Sequence, residues 1–349
     1  MDTIILIADY YFYKNSRGKT PYNFVNNLLN IKLYNIILLY TDDNNIYDKI
    51  CNLNAKLIII FEINAFQENT MRLSNIFDLN IPIYLFLDDT YYISSITARC
   101  KYTQNVNGFI FWYKNELINK SYEIKYPNKK ILNFSSRFVN TNIYQDYNLP
   151  KKYDILLYGT RNFNYNYKNE KIITIQNWIK KYESINNTVI NNKINFYPLR
   201  QKLENILNNI KNKYNILILP EGTYCNSNIV NEELSKLINQ SYLTIACSSI
   251  ADVLLHKHLE ISASKSVILG SYPSEYKDLF DGNIIEVSEF MPDDEILSII
   301  DNALANKKDL ELKADRLYKK VRSEHNLNNS IKCFSKIINN ILNIDINDK

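Results

Sequence analysis

The sequence predicts an α/β protein of two successive doubly wound units. Short apolar runs of strand length alternate with longer amphipathic stretches from the first residue onward. The runs are apolar on both faces, as strands of a parallel sheet covered by helices on either side must be. The pattern then restarts after a polar stretch around Pro150. At 349 residues the chain exceeds the ~250 to 300 that one core serves. We therefore expect two Rossmann-like domains, residues 1–148 and 149–349.

In the first half, strands are expected at TIILIA (3–8), NIILLY (35–40), KLIIIF (56–61), IPIYLFL (81–87) and GFIFW (108–112), with helices near 21–33, 64–78 and 91–103. The opening MDTIILIADYY has an acid where a signal peptide needs a basic region, so it reads as the first strand. In the second half, ILLYG (155–159), YNILILP (214–220), YLTIAC (242–247), SVILG (266–270) and NIIEV (283–287) follow, with helices near 198–212, 229–240 and 254–264. Three further helices close the chain, the first starting at Pro292 with acids behind it. In open α/β sheets ligands bind at the carboxyl ends of strands, so two such units place a cleft between those ends.

Composition excludes several classes. Hydrophobic content of 46% and charged content of 22% are those of an ordinary globular protein. No apolar run approaches the ~20 residues of a membrane span, and the expected location is the cytoplasm. Five scattered cysteines without a CxxC argue against a disulfide framework or a zinc site and are expected to be buried thiols. A net charge of +4 without a basic block or an RNP-like motif gives no case for nucleic acid and suits an anionic small molecule as well. With only 6 glycines, neither GxGxxG nor GxxxxGK[ST] can be written. The 28 tyrosines and abundant asparagines fit AT-rich codon usage and carry little functional meaning.

The stretch SSIADVLLHKHLEISASK (248–265) is the most informative. Ser249 reads as an N-cap and Asp252, three residues on, as its capping-box partner. A helix starting there, beside Ser248 and Ser249, would offer free N–H groups to a phosphate. Lys257 and Glu260 share one face of that helix with His256. For each residue a plain role competes: a cap for Asp252, a solvated or Lys257-paired surface carboxylate for Glu260, ordinary half-buried rings for His256 and His258. Asp88 and Asp89 follow IPIYLFL at the carboxyl end of a strand, where a carboxylate could take an acceptor proton, or could cap the next helix.

HKHLEISASKSVILG, with YPSEYKDLFDGNIIEVSEFMPDDEILSIIDNAL and SEHNLNNSIKCF beyond it, resembles the C-terminal region of the glycosyltransferase group 1 superfamily. The resemblance is to its divergent branch of spore-envelope-type and large-DNA-virus members. It implies a GT-B fold, two Rossmann-like domains facing a cleft, with no metal and no cofactor beyond the nucleotide-sugar donor. The superfamily's two acids, with seven residues between them, fall on Asp252, facing the donor sugar, and Glu260, holding the ribose. KKYDILLYGTRN (151–162) resembles the opening strand and turn of its second domain, putting Gly159, Thr160 and Arg161 at the diphosphate. Val253, Leu255 and Lys265 stand where the superfamily has glycines.

The expectation is therefore a metal-independent transferase moving a sugar from a donor such as a UDP-sugar to a glycan. Asp88, Asp89 and Asp252 are its catalytic candidates, and Gly159, Thr160, Arg161, Ser248, Ser249, Lys257 and Glu260 line its donor site. Two competitors stay open. One is a metal-dependent GT-A enzyme using Asp88 and Asp89, or Asp42 and Asp43. The other is a degenerate GT-B scaffold that binds glycan or a protein partner without catalysis.

Overall fold

The computed structural model describes residues 1–8, 19–29, 31–41, 43–61, 73–87, 104–112, 114–134, 137–161, 164–166, 173–182, 189–190, 193–221 and 230–343. It divides into two compact units, Met1–Arg137 with Leu327–Lys349, and Phe138–Asn326.

The first unit is a six-stranded sheet, β1 (Thr3–Ala8), β2 (Asn35–Tyr40), β3 (Leu57–Phe61), β4 (Ile83–Leu87), β5 (Gly108–Phe111) and β6 (Lys130–Asn133), in the order β2-β1-β3-β4-β5-β6. Every pairing is parallel. β3, β4 and β5 are buried along their whole length and β1 from Ile4 onward, as strands covered on both faces should be. Helices α1 (Lys19–Leu28), α2 (Ile46–Asn52) and α3 (Glu116–Lys125) accompany it. α3 starts where Asn115 accepts the Ile118 N–H at 3.1 Å. The expected helix at 91–103, most of that at 64–78, and Asp88, Asp89 and Asp42 lie outside the described residues. Asp43 accepts the Tyr40 N–H at 3.0 Å and pairs with Lys49 at 3.5 Å, a local turn role.

An aromatic cluster holds this unit together. Phe24 of α1 meets Trp112 and Phe134 at centroid distances of 5.3 and 5.2 Å, and Phe61 stacks on Phe86 at 4.7 Å. Phe334 enters it from the last helix of the chain, at 5.4 Å from Phe24 and 5.8 Å from Phe86, and is fully buried.

The second unit repeats the plan. β7 (Tyr153–Leu157), β11 (Ile216–Ile218), β12 (Ser241–Ala246), β13 (Val267–Gly270) and β14 (Ile285–Glu286) form an all-parallel sheet in the order β11-β7-β12-β13-β14. Counting strands within each sheet, both follow 2-1-3-4-5, with β6 added to the first. Alternate β7 residues feed opposite faces, Leu156 to one core and Ile155 and Leu157 to the other. β8 (Asn164–Asn166), β9 (Val189–Ile190) and β10 (Lys193–Asn195) form a small antiparallel sheet that the periodicity did not reveal. Helices α4 (Ile173–Tyr182), α5 (Pro198–Asn209), α6 (Val230–Asn239), α7 (His256–Ala263), α8 (Lys277–Phe280), α9 (Asp293–Ala305) and α10 (Lys307–Glu324) follow; α11 (Leu327–Leu342) belongs to the first unit.

Two positions explain how the turns around β13 close. Gly270 has φ +152°, and a Cβ there would stand 1.7 Å from the Ala246 carbonyl oxygen, so only glycine lets β13 approach β12 so closely. Lys265 has φ +58°, the left-handed conformation for which a glycine is ordinarily used. Its surroundings offset that cost of about 1 kcal/mol: its ammonium meets Asp146 at 2.8 Å and its carbonyl accepts from Lys151 at 2.9 Å. Lys151 also donates to the Asn239 and Ser241 carbonyls at 2.8 and 2.9 Å, so one ammonium ties three chain segments.

The cysteine expectation is corrected at one position. Cys247 is buried and Cys333 half-buried, but Cys51 is exposed, on the last turn of the short α2. Among the described residues no helix is long and apolar enough to cross a membrane.

Phe334→Ala should cost about 3 to 5 kcal/mol, as for a buried aromatic truncated to alanine. Hydrogen exchange should show lost protection in Met1–Arg137 and not in Phe138–Asn326. A loss under about 1 kcal/mol would mean that the ring is not part of that core.

Candidate functional site

In the second sheet, β7 is followed by a strand on one side and β12 lies on the other, so the order reverses between β7 and β12. Ligands bind outside the carboxyl ends of strands at such a switch point. Here those ends are Tyr158–Arg161 and Cys247–Ser249.

The segment after β12 departs from expectation. Ser249 and Asp252 have φ +62° and +49°, which no right-handed helix accepts, and α7 begins only at His256, behind Leu255. The Ser249–Asp252 capping box is therefore absent, and Ser248 and Ser249 do not stand at a helix N-terminus. Instead Ile250, Ala251, Val253 and Leu254 are buried, and the turn closes through Ile250 N–H to Phe196 O at 3.2 Å and Val253 N–H to Ser248 O at 3.1 Å. Ser249 Oγ accepts the Ala251 N–H at 3.3 Å, and Asp252 accepts from Ser274 Oγ at 2.9 Å.

His258 fixes the start of α7. Its Nδ1 accepts the Leu255 N–H at 3.3 Å and its Nε2 lies 2.9 Å from the Ser271 carbonyl, which assigns the proton to Nε2. Burial, aided by Arg200 and Lys257 and opposed by the bonds to Ser271 and Leu255, lowers its pKa to about 4.

Lys257 points inward, not to a wet face as its spacing from Glu260 suggested. Its ammonium donates to the Tyr158 carbonyl and lies 3.9 Å from the centroid of the Tyr158 ring. A Cβ on Gly159, where φ is +85°, would come within 2.6 Å of that nitrogen, so the glycine makes the room. Burial, and then the charge of Arg200, hold Lys257 well below the usual lysine range, against the opposing pull of Cys247 and Glu260.

Arg200, which the periodicity did not single out, is the second cation. It is 4% exposed, donates to the Thr160 carbonyl at 3.0 Å and packs 4.0 Å from the Tyr197 ring. Its Nε has no hydrogen-bond partner among the described residues. It occupies the third position of α5, where the positive end of the helix disfavours a cation. The signal was in YPLRQKL: an arginine in the first turn after a proline.

Arg161 differs. It is buried, but Glu204 meets it at 2.9 Å and Glu221 at 3.7 Å, and it donates to the Gly159 and Leu219 carbonyls at 3.0 and 3.1 Å. Its charge is matched and its side chain orders the turn after β7. Glu204 is four residues beyond Arg200 on the same helix yet serves Arg161, leaving Arg200 without an acidic partner among the described residues.

Glu260 is half-buried on α7. Tyr158 Oη lies 3.5 Å from its Oε2, while the Tyr144 hydroxyl donates to Asn231 Oδ1 at 3.4 Å. Burial and then the Glu260 charge push both tyrosines well above their ordinary range, so both keep their protons beside the carboxylate. The site thus joins two buried cationic side chains to a carboxylate flanked by two phenols. Among the described residues no group of three His, Cys, Asp or Glu is placed to hold a metal ion.

No protein-family model and no curated protein matches the sequence. Solved structures do. The Anabaena protein HepE in complex with UDP aligns with a TM-score of 0.52 at 8% identity, over 97% of this chain and 100% of that one. Its complex with UDP-glucose gives 0.51 at 9%, over 97% and 99%. The trehalose-6-phosphate synthase OtsA gives 0.53 at 11%, over 99% and 100%. At these identities the likeness shows the fold, two Rossmann-like units of the GT-B class.

Because His258 is neutral in the fold, its contribution is complete above its ordinary pKa of 6.5 and is lost as the pH falls from there through about 4. That gap corresponds to roughly 3 kcal/mol. Urea denaturation across this range should show the loss, and His258→Gln should flatten it. An unchanged slope in the variant would assign the acid sensitivity to another group.

Proposed function

We propose that the protein is a glycosyltransferase that binds a nucleoside-diphosphate sugar at the carboxyl edge of its second sheet and passes the sugar to a glycan acceptor. One observation carries this: Lys257 and Arg200 are both buried, the second at the positive end of a helix, and neither is in an ion pair among the described residues. Two like charges out of water are costly until an anion joins them. A diphosphate supplies that anion. Glu260, beside Tyr158, supports a ribose site within reach, since an ionised carboxylate accepts from vicinal hydroxyls. The HepE complexes with UDP and UDP-glucose support a uridine nucleotide as donor.

In this reading Lys257 and Arg200 stabilise the charge that grows on the departing diphosphate, in a site already oriented for it. Arg161 holds the Gly159–Thr160 turn against Glu204 and Glu221 and is a positioning residue. Asp252, tied to Ser274, is placed on the donor-sugar side. The cationic side chains take the part that a metal plays in other transferases, so turnover should persist in EDTA. Asp88 and Asp89 remain the acceptor-side candidates, and the cytoplasm the expected place of action.

Titration with UDP by calorimetry tests this. Arg200→Ala should weaken affinity roughly 10- to 100-fold, the worth of one charge-assisted hydrogen bond of about 1.5 to 3 kcal/mol. Arg161→Ala should act less on affinity than on stability. If neither UDP nor another nucleoside diphosphate binds, the transferase reading ends. Binding without sugar transfer from any donor would select the scaffold instead.

A further inference from the structure

We propose that the first unit docks on an anionic membrane surface through a groove between the end of α1 and the outer face of α11, independently of nucleotide binding. The groove has a volume of about 630 Å³, enough for a lipid headgroup, and its lining includes Ile31, Lys32, Leu33, Ile331, Lys332 and Lys336. Lys332 and Lys336 are four residues apart on α11, and Lys32 faces them from the turn after α1. All three are exposed, and none has an ion-pair or hydrogen-bond partner among the described residues. Among the described residues no acidic side chain lines the groove.

The wider charge distribution agrees. The second unit holds equal numbers of basic and acidic side chains, so the chain's net +4 resides entirely in the first. Beside the lysines stand exposed leucines, Leu33 at 58% and Leu29 at 38%. Apolar tips next to unpaired ammonium groups match an interface of acyl chains under phosphate headgroups. The lysines can reach the phosphates while the leucines enter the apolar boundary. An acidic protein would satisfy the lysines and leave the leucines unexplained.

Co-sedimentation of the full chain with phosphatidylcholine vesicles, and with vesicles in which about a third of the lipid is phosphatidylglycerol, tests the proposal. Binding should appear only with the anionic lipid. Lys32→Gln, Lys332→Gln and Lys336→Gln together should lower partitioning on the order of 100-fold, since each lysine near such a surface contributes about a factor of five. Leu33→Ser should lower it without changing charge. A control replacing Lys114, Lys120 and Lys125, exposed on the same unit but outside the groove, should retain binding. Thermal melting confirms that each variant is folded. Equal loss in groove and control variants would reduce the effect to net charge and overturn the proposal. Equal binding to both vesicle types would do the same. Capture of poly-glutamate without vesicle binding would give the groove to an acidic protein and also sink it.

Discussion

A lysine ammonium set against the Tyr158 carbonyl is the constraint around which the carboxyl edge of the second sheet is arranged. Its burial requires the residue after Tyr158 to have no side chain, and Gly159 satisfies this. It requires α7 to begin late enough to aim position 257 inward, and the left-handed residues Ser249 and Asp252 delay the start to His256. With Arg200 fixed nearby, the edge holds two buried cationic side chains that are in no ion pair among the described residues, while Glu204 and Glu221 are both spent on Arg161. The edge is ordered before any ligand arrives, which is the condition under which electrostatic stabilisation costs no reorganisation during a reaction.

Much of the fold was legible because buried parallel strands need unbroken apolar runs. TIILIA, KLIIIF, IPIYLFL and SVILG could hardly be anything else. β6 (KILN) and the three short strands of the antiparallel sheet are too brief and too polar to carry a period. The late start of α7 was hidden because Ser249 and Asp252 have the right chemistry for a cap, and the conformation that forbids one goes with burial of Ile250, Ala251, Val253 and Leu254.

The site was partly legible for a similar reason. Lys257 and Glu260 stood out by spacing, but which of them faces inward depends on how α7 packs. Arg161 looked free in sequence because Glu204 and Glu221 are far from it along the chain. Tyr158 was discounted among 28 tyrosines, although its hydroxyl meets the Glu260 carboxylate. Composition describes the average residue, and a site is built from exceptions. Lys265 is another: a lysine in a left-handed turn is tolerated where Asp146 and Lys151 hold both of its ends.

The place of Phe334 bears on synthesis as well as on packing. Every residue of the second unit lies in one continuous stretch, whereas the first unit begins the chain and is finished by its last helix. On a ribosome, Phe24, Phe86 and Trp112 must wait for Phe334 until the whole of the second unit has been made. The second unit can then reach its native state first, although it is translated later. An interrupted message would thus yield a folded second unit beside an uncapped aromatic core, the kind of product that chaperones and proteases recognise.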